Sequence, residues 1–369
     1  LSDLLFLLPG LYVLLQTAQL VVLWSYRDQK ESEPAEWPEI SILVAARNEE
    51  ENILLCLEAI NRLDYPREKL HILIGNDQST DRTAAITTAF IADKPWFSLI
   101  EIEDTELPLK AKARVMEQLD RHARGSFYLI TDADVQVPPS WAKEMLLRFK
   151  PETGVVSGTT MVKSPTGGDR NQEIDWTYFM GLLNIISYAG VPATAVGNNM
   201  AVRSEAYRET GGYAAIRFSI TEDYKLYQQI CAAGWKWNNI IAPGVLAFSA
   251  PVYGWETLLH QRKRWLTGGR ELPWYWWLLF GIFGLFYFAL PVALFVSLFK
   301  ALVIWLIKWL LQSAQIRHIY GLLGEEKPDW AALLRYEIYL LVLTPATAIF
   351  TLLPVATNWK DRFYKGKDL

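Results

Sequence analysis

Runs without a single charged side chain occupy both ends of this sequence, and they limit what the chain can become. The first extends from Leu4 to Tyr26, the second from Leu272 to Phe299 and the third from Ile338 to Trp359. At about 1.5 Å of helix per residue, roughly twenty such residues cross a hydrocarbon core of about 30 Å. The ends therefore read as membrane segments, and the middle must supply a core of its own.

Arg27 and Lys30 come directly after the first run, no basic region precedes it, and no small-residue cleavage pattern closes it. The expectation is a retained anchor over residues 1–30 whose C-terminal side faces the cytoplasm. The second run opens on the aromatic cluster Trp274, Tyr275, Trp276 and Trp277, which suits a membrane interface. Beyond it, Lys300 and Lys308 interrupt a stretch that is otherwise mostly apolar as far as residue 316. Residues 274–316 therefore read either as a hairpin broken near Pro291 or as one span plus an interfacial helix. The basic residues Lys360, Arg362, Lys365 and Lys367 favour a cytoplasmic tail, which conflicts with a count of four spans. The C-terminal membrane region is taken as 274–369.

Of the 369 residues, 51% are hydrophobic and 13% aromatic, which excludes a disordered chain and permits a large core. With 36 Lys and Arg against 40 Asp and Glu, the formal charge is −4, so no nucleic-acid partner is expected. Cys56 and Cys231 stand far apart and form no CxxC or Cys/His cluster, which argues against a disulfide framework or a structural zinc site. Walker A, GxGxxG, HExxH and GxSxG motifs are all missing. The scattered histidines His71, His122, His260 and His318 receive no catalytic role.

Residues 38–250 alternate short apolar runs with helical patterns, as an α/β sheet requires. Strands are expected at Ile40 to Ala46, His71 to Gly75, Ser98 to Ile102 and Phe127 to Thr131, with helices near 50–62, up to about 92, and 110–124. In open α/β sheets ligands sit beyond the carboxyl ends of the strands. Two of these strands end in aspartates, Asp77 and Asp132. An interfacial helix is expected within 251–273.

Four groups of residues could carry chemistry. Asp132 and Asp134, two positions apart after a buried strand, can offer oxygens to a hard divalent cation or can be a solvated turn. Asp77 lies in Asn76-Asp77-Gln78-Ser79-Thr80-Asp81, where Ser79 or Thr80 would cap the next helix and the Asp77 carboxylate could meet a base or ribose edge. Glu49, after the first strand, is a similar candidate. Thr221, Glu222 and Asp223 read as a helix N-cap with acids in its first turn, or as the place of a base within about 3 Å of a substrate hydroxyl. In Gln261-Arg262-Lys263-Arg264-Trp265, Gln261 and Arg264 share a helix face, where Arg can pair with a diphosphate and Trp can wall a pocket. The other basic residues there would reach head groups.

Taken in order, Arg47-Asn48-Glu49, Asp77, Lys110, Asp132-Ala133-Asp134, Gly197 to Arg203, Thr221-Glu222-Asp223 and Gln261 to Trp265 resemble the membrane-bound glycosyltransferases of family 2, over roughly residues 38–270. The resemblance implies a GT-A fold, a nucleotide-diphosphate sugar donor, usually a UDP-sugar, and a Mg2+ or Mn2+ ion. It implies that Glu49 and Asp77 hold the nucleoside, Lys110 lies near the donor, Asp132 faces sugar or ribose, Asp134 binds the metal and Asp223 is the general base. Glu222, Gln261, Arg264 and Trp265 would complete the acceptor and diphosphate site. The sequence departs from the pattern at Asn76, where an aspartate is common, and at Gln78 and Leu109, where glycines are common.

The reading is an inverting transferase in a bacterial-type inner membrane, with a cytoplasmic catalytic domain and a lipid or membrane-linked glycan as acceptor. A processive polysaccharide synthase is the alternative within the class. A non-catalytic, nucleotide-sugar-binding membrane scaffold is the alternative outside it.

Overall fold

A computed structural model of the chain describes all residues except 1, 106–108, 164–169, 217, 218, 220, 270, 271, 356, 360, 361 and 365–369. The strands are β1 (Ile40–Ala46), β2 (Leu70–Asn76), β3 (Phe97–Glu101), β4 (Phe127–Asp132), β5 (Val135–Gln136), β6 (Thr153–Ser157), β7 (Thr160–Val162), β8 (Asn199–Arg203), β9 (Lys236–Asn239), β10 (Ala247–Ser249), β11 (Thr357–Trp359) and β12 (Arg362–Tyr364). The helices are α1 (Ser2–Ser25), α2 (Ile53–Asn61), α3 (Thr83–Ile91), α4 (Ala111–Asp120), α5 (Trp141–Leu146), α6 (Arg170–Tyr188), α7 (Ser204–Glu209), α8 (Glu222–Ala232), α9 (Trp255–Gly268), α10 (Trp274–Val296), α11 (Leu298–Leu322) and α12 (Trp330–Leu352). They form two compact units, one of Arg27–Lys163 with Ile186–Ala250, the other of Leu1–Tyr26, Ser164–Ile185 and Pro251–Leu369.

The first unit is built on a seven-stranded sheet in the order β3-β2-β1-β4-β8-β6-β9. From β3 to β4 neighbouring strands run parallel, and β8 is inserted antiparallel between β4 and β6. The chain moves outward from β1 to β2 and β3, then returns to β4 on the other side of β1. That reversal opens a crevice beyond the carboxyl ends of β1 and β4, where ligands of such sheets bind. The apolar residues of β1, Ile40, Ile42, Leu43 and Val44, are all at most 1% exposed, as expected for a parallel strand covered on both faces. A smaller sheet, β5-β10-β7, brings Ser249 opposite Val135, just past Asp134.

Polar groups in this core are satisfied individually. Asn199, fully buried at the start of β8, accepts a hydrogen bond from Trp141 Nε1 at 2.8 Å and donates to the carbonyls of Thr159 and Val245 at 2.9 and 2.8 Å. Arg148, also buried, pairs with Asp28 and with Glu144 at 2.7 Å, and Lys30 reaches Glu144 at 3.0 Å. The segment from Asp28 to Lys30 is thereby tied to α5.

Among the described residues, the second unit contains four helices long and apolar enough to cross a membrane: Phe6–Ser25 within α1, and α10, α11 and α12. The break expected near Pro291 falls instead at Ser297, whose backbone is extended (φ −156°, ψ 97°), and α10 continues through Pro291. An interior proline removes one N–H and crowds the preceding turn, which membrane-spanning helices tolerate because neighbouring groups re-satisfy the freed carbonyl. The last helix begins eight residues before Ile338, because Asp329 caps it by accepting the Ala332 N–H at 2.6 Å. It therefore includes Arg335 and Glu337. Glu337 Oε2 and Tyr287 Oη each lie 2.5 Å from Lys308 Nζ, and both charged side chains are at most 1% exposed. Of the basic tail, Lys360, Lys365 and Lys367 lie outside the described residues.

Candidate functional site

Strand register assembles the carboxylates. Ala45 pairs with Asp132 and Ala46 with Asn76, so Arg47-Asn48-Glu49, Asp77 and Asp132-Ala133-Asp134 leave the sheet side by side. Because β8 runs against β4, with Thr131 opposite Asn199, Gly197 and Asn198 enter at the same edge.

On the β2 side, Asp77 is 3% exposed and Glu49 6%. Arg114 Nη2 donates to Asp77 Oδ1 at 2.7 Å and also pairs with Asp104, while Arg47 Nη1 donates to the Asp77 carbonyl at 2.6 Å. Glu49 Oε2 accepts from Asn52 Nδ2 at 2.9 Å. The loops after β1 and β2 are joined by hydrogen bonds from Asn48 N to Ser79 Oγ at 3.1 Å and from Thr80 N to Asn48 Oδ1 at 2.9 Å. Asn48 and Gln78 both have positive φ, 50° and 55°. The left-handed backbone at Gln78 is the physical reason a glycine suits that position.

The helix cap is not where the sequence suggests. Neither Ser79 nor Thr80 caps α3; Asp81 Oδ1 accepts the Thr83 N–H at 3.0 Å and the Thr83 hydroxyl at 2.6 Å. Ser79 and Thr80 are engaged by Asn48 and stand too far ahead of a helix starting at Thr83. Burial acts to raise the Asp81 carboxyl, yet these hydrogen bonds hold it below the usual carboxylate range.

Lys110 is exposed at the N-cap of α4, and Lys112 reaches the carboxylate cluster: its side chain is 10% exposed, and it donates to the Asp132 carboxylate and, at 2.9 Å, to the Gly197 carbonyl. Ala111 between them has φ 50°, so the glycine-like conformation directly precedes Lys112. Burial opposes the charge on Lys112, but Asp132 and Glu222 raise its pKa on balance and keep it protonated.

Thr221 occupies the N-cap of α8 without a side-chain cap bond, and Glu222 and Asp223 form the first turn. Asp223 Oδ2 accepts the Gly197 N–H at 2.7 Å, and Oδ1 accepts the Tyr224 N–H at 2.8 Å. Burial, and then the charge of Asp223, push the Glu222 carboxyl up to about 7. Burial pushes the Cys56 thiol up, and the nearby charges of Asp134, Asp132 and Glu49 add to that effect. Asp134 Oδ2 lies 3.4 Å from Ser249 Oγ.

Among the described residues no three His, Cys, Asp or Glu side chains form a metal cage. A hard cation bridging a diphosphate needs only one or two carboxylates, with phosphate and water supplying the rest, and Asp134 fits that demand. The cavity of about 330 Å³ lined by His71, Arg121, His122 and Arg124 lies elsewhere, past the C-terminus of α4, where cations complement the helix dipole.

Gln261, Arg264 and Trp265 lie on α9 of the second unit. The basic residues between them are bonded within the helical unit. Arg262 pairs with Asp175 at 2.5 Å, and Lys263 donates to the Leu353 carbonyl at 2.6 Å at the end of α12. Lys112 and Arg114 are the positions that the sequence alone does not single out. The alternation of Lys112 and Arg114 along one helix, opposite two strand-end aspartates, is the signal that could have found them.

The family model of glycosyl transferase family 21 matches residues 4–365. The chain belongs to glycosyl transferase family 21. The motif order resembles family 2 instead, and the two families agree on a glycosyltransferase of GT-A type.

Among curated relatives, a beta-monoglucosyldiacylglycerol synthase of Synechocystis is 26% identical over 253 residues, covering 66% of this chain and 50% of that protein. A poly-beta-1,6-N-acetyl-D-glucosamine synthase of Staphylococcus epidermidis is 26% identical over 242 residues, covering 63% and 55%. The chain thus spans about half the length of the curated relatives it matches. A mannosyltransferase of Pyrobaculum calidifontis, solved with GDP-Man and Mn2+, superposes with a TM-score of 0.59 at 19% identity over 95% of this chain and 97% of that one. The family-21 chain therefore has the Rossmann-like glycosyltransferase fold.

Proposed function

We propose that this family-21 protein is an inverting membrane glycosyltransferase that moves a sugar from a nucleotide-diphosphate donor, a UDP-sugar, to a hydroxyl of a membrane lipid. The observation that carries the reading is the juxtaposition of Asp223, the Gly197 peptide, Lys112 and Asp132 at the mouth of the sheet crevice. Both oxygens of Asp223 accept backbone N–H bonds, which fix the direction of the carboxylate. A lipid acceptor is supported by the four apolar helices among the described residues and by the monoglucosyldiacylglycerol product in the name of the Synechocystis relative.

In this reading Asp223 removes the proton of the acceptor hydroxyl as that oxygen attacks the anomeric carbon and the nucleoside diphosphate departs. Glu49 and Asp77 hold the nucleoside, and Asp132, oriented by Lys112, faces the sugar or ribose. The charge of Lys112 beside Asp132 and Glu222 also limits repulsion among the acids. Lys110, the motif lysine, lies at the rim near the donor. The family-2 resemblance assigns Glu222, Gln261, Arg264 and Trp265 to the acceptor and diphosphate site, with Arg264 as the group that would pair with the leaving diphosphate. Asp134 would hold Mg2+ or Mn2+, and the bound ion supplies positive charge to the departing diphosphate. The catalytic unit lies on the cytoplasmic side, where the residues after α1 carry Arg27 and Lys30.

The test is nucleoside-diphosphate release by the detergent-purified chain with a panel of UDP-sugars, a lipid extract and Mg2+ or Mn2+, beside Asp134→Ala. Release that needs lipid and metal and yields one added sugar supports the reading. A ladder of products would replace it with a processive synthase, the activity named for the Staphylococcus relative. UDP binding without release under any condition would replace it with a scaffold.

A further inference from the structure

Helix α6 has no part in the proposed chemistry, yet one of its faces holds the helix that carries Gln261 and Arg264. Gln172, Asp175 and Trp176 succeed each other at spacings of three and one, so they lie on adjoining parts of that face. Gln172 brackets the chain just before α9: Nε2 donates to the Val252 carbonyl at 2.8 Å, and Oε1 accepts the Val252 N–H at 3.3 Å. Asp175 Oδ2 takes Arg262 Nη2 at 2.5 Å, while Oδ1 takes the Tyr336 hydroxyl of α12 at 2.9 Å. The Arg262 guanidinium lies 4.5 Å from the centre of the Trp265 ring, and that ring lies 4.7 Å from Trp176.

Together with Lys263, whose ammonium donates to the Phe350 and Leu353 carbonyls at 3.3 and 2.6 Å, these contacts set the rotation of α9 about its axis. At 3.6 residues per turn each step is about 100°, so from Arg262 at 0° Lys263 stands at about 100° and Trp265 at about 300°. The sector that these ties leave is the one holding Arg264, at about 200°, and Gln261, at about 260°. Three anchors around the helix therefore dictate where the other two residues of the motif point.

We propose that Asp175 and Trp176 are positioning residues, which act through Arg262 and Trp265 to present Gln261 and Arg264 together on one side of α9. The proposal rests on the assignment of Arg264 to the leaving diphosphate. An ion pair is suited to this task because the carboxylate fixes the guanidinium plane, and the plane then stacks on Trp265. Asp175 and Arg262 are 13% and 15% exposed, so the pair is sheltered enough to hold its geometry.

The experiment uses the full chain in detergent with whichever UDP-sugar and lipid pair gives the highest turnover. Asp175→Asn keeps an acceptor for Tyr336 and removes the charge partner of Arg262. The expected result is a fall in kcat of at least tenfold, UDP binding changed by less than about twofold, and an unchanged melting temperature. Asp175→Glu should recover much of kcat, and the exchanged pair Asp175→Arg with Arg262→Asp should exceed either single variant. Unchanged kcat in Asp175→Asn overturns the proposal, as does a kcat loss matched by a lower melting temperature with no recovery in the exchanged pair. Arg264→Ala separates the two layers. If it retains turnover, the diphosphate assignment fails and this proposal with it; if it is inactive while Asp175→Asn is normal, only the positioning role fails.

Discussion

The backbone N–H of Gly197 donates to Asp223 Oδ2 at 2.7 Å, while the carbonyl of the same residue accepts from Lys112 at 2.9 Å. One peptide unit and its neighbour thus join the proposed base to the buried cation of α4. There is no room at this point for a larger residue. A Cβ on Gly197 would lie 2.8 Å from Asp223 Cβ and 3.2 Å from Lys112 Nζ.

Gly197→Ala should therefore displace Asp223 more than it unfolds the protein. Overpacking of this kind costs about 1–3 kcal/mol, whereas misplacement of a reacting group by about 1 Å costs on the order of a hundredfold in rate. Turnover and thermal stability measured on the same preparation separate the two effects. A variant with near-normal turnover would show that the contact is not tied to catalysis.

Lys112 and Lys110 should respond very differently to substitution. Lys112→Met leaves Asp132 without its ion-pair partner and should lower kcat/KM at least tenfold, about 1.4 kcal/mol. Lys110→Met, at an exposed position, should cost less than about threefold by the same scale. Steady-state kinetics on both variants decide the matter, and the reverse ranking would make Lys110 the more important lysine of the donor site.

The raised pKa of Glu222 makes stability depend on pH in a defined direction. The native carboxyl titrates near 7 and the unfolded one near 4.5, so between these values the native state holds more proton. Unfolding free energy should then fall as pH rises from about 4.5 through about 7, with full stability from this group below the lower value. Glu222→Gln should flatten that slope in denaturant melts at pH 5 and pH 8. An identical slope in variant and parent would mean that the group does not titrate there.

In the helical unit, removing one member of the Lys308–Glu337 pair strands the other in an apolar interior. Glu337→Leu should destabilise by about 3–5 kcal/mol, and the double variant Lys308→Met with Glu337→Leu should regain most of that. Thermal unfolding in detergent provides the readout. Additive losses in the double variant would contradict an isolated pair.

Much of the sheet was legible because parallel strands buried on both faces read as continuous apolar runs, as in Ile40 to Ala46 and Phe127 to Asp132. The strand-end aspartates were legible because the apolar runs stop at them, Asp132 half-buried and Asp77 still buried at 3% exposure. Lys112 was not, because the residue that turns the chain inward is Ala111 at positive φ, and alanine gives no sign of that conformation. Glu337 was missed because counting charge-free residues begins a span at Ile338, whereas the cap that starts α12 is Asp329. Asp175 lies in a stretch whose apolar face packs on helices distant in sequence, a relation that periodicity alone does not specify.

Asp223→Asn tests the central claim most directly, because it keeps the size of the side chain and one of its two backbone hydrogen bonds while removing its basicity. The account predicts that UDP binding by the full chain stays within about twofold while lipid-dependent UDP release falls by at least a hundredfold, about 2.7 kcal/mol. Release at the parent rate with intact UDP binding would contradict it, and Asp223 would then be a structural residue at the head of α8.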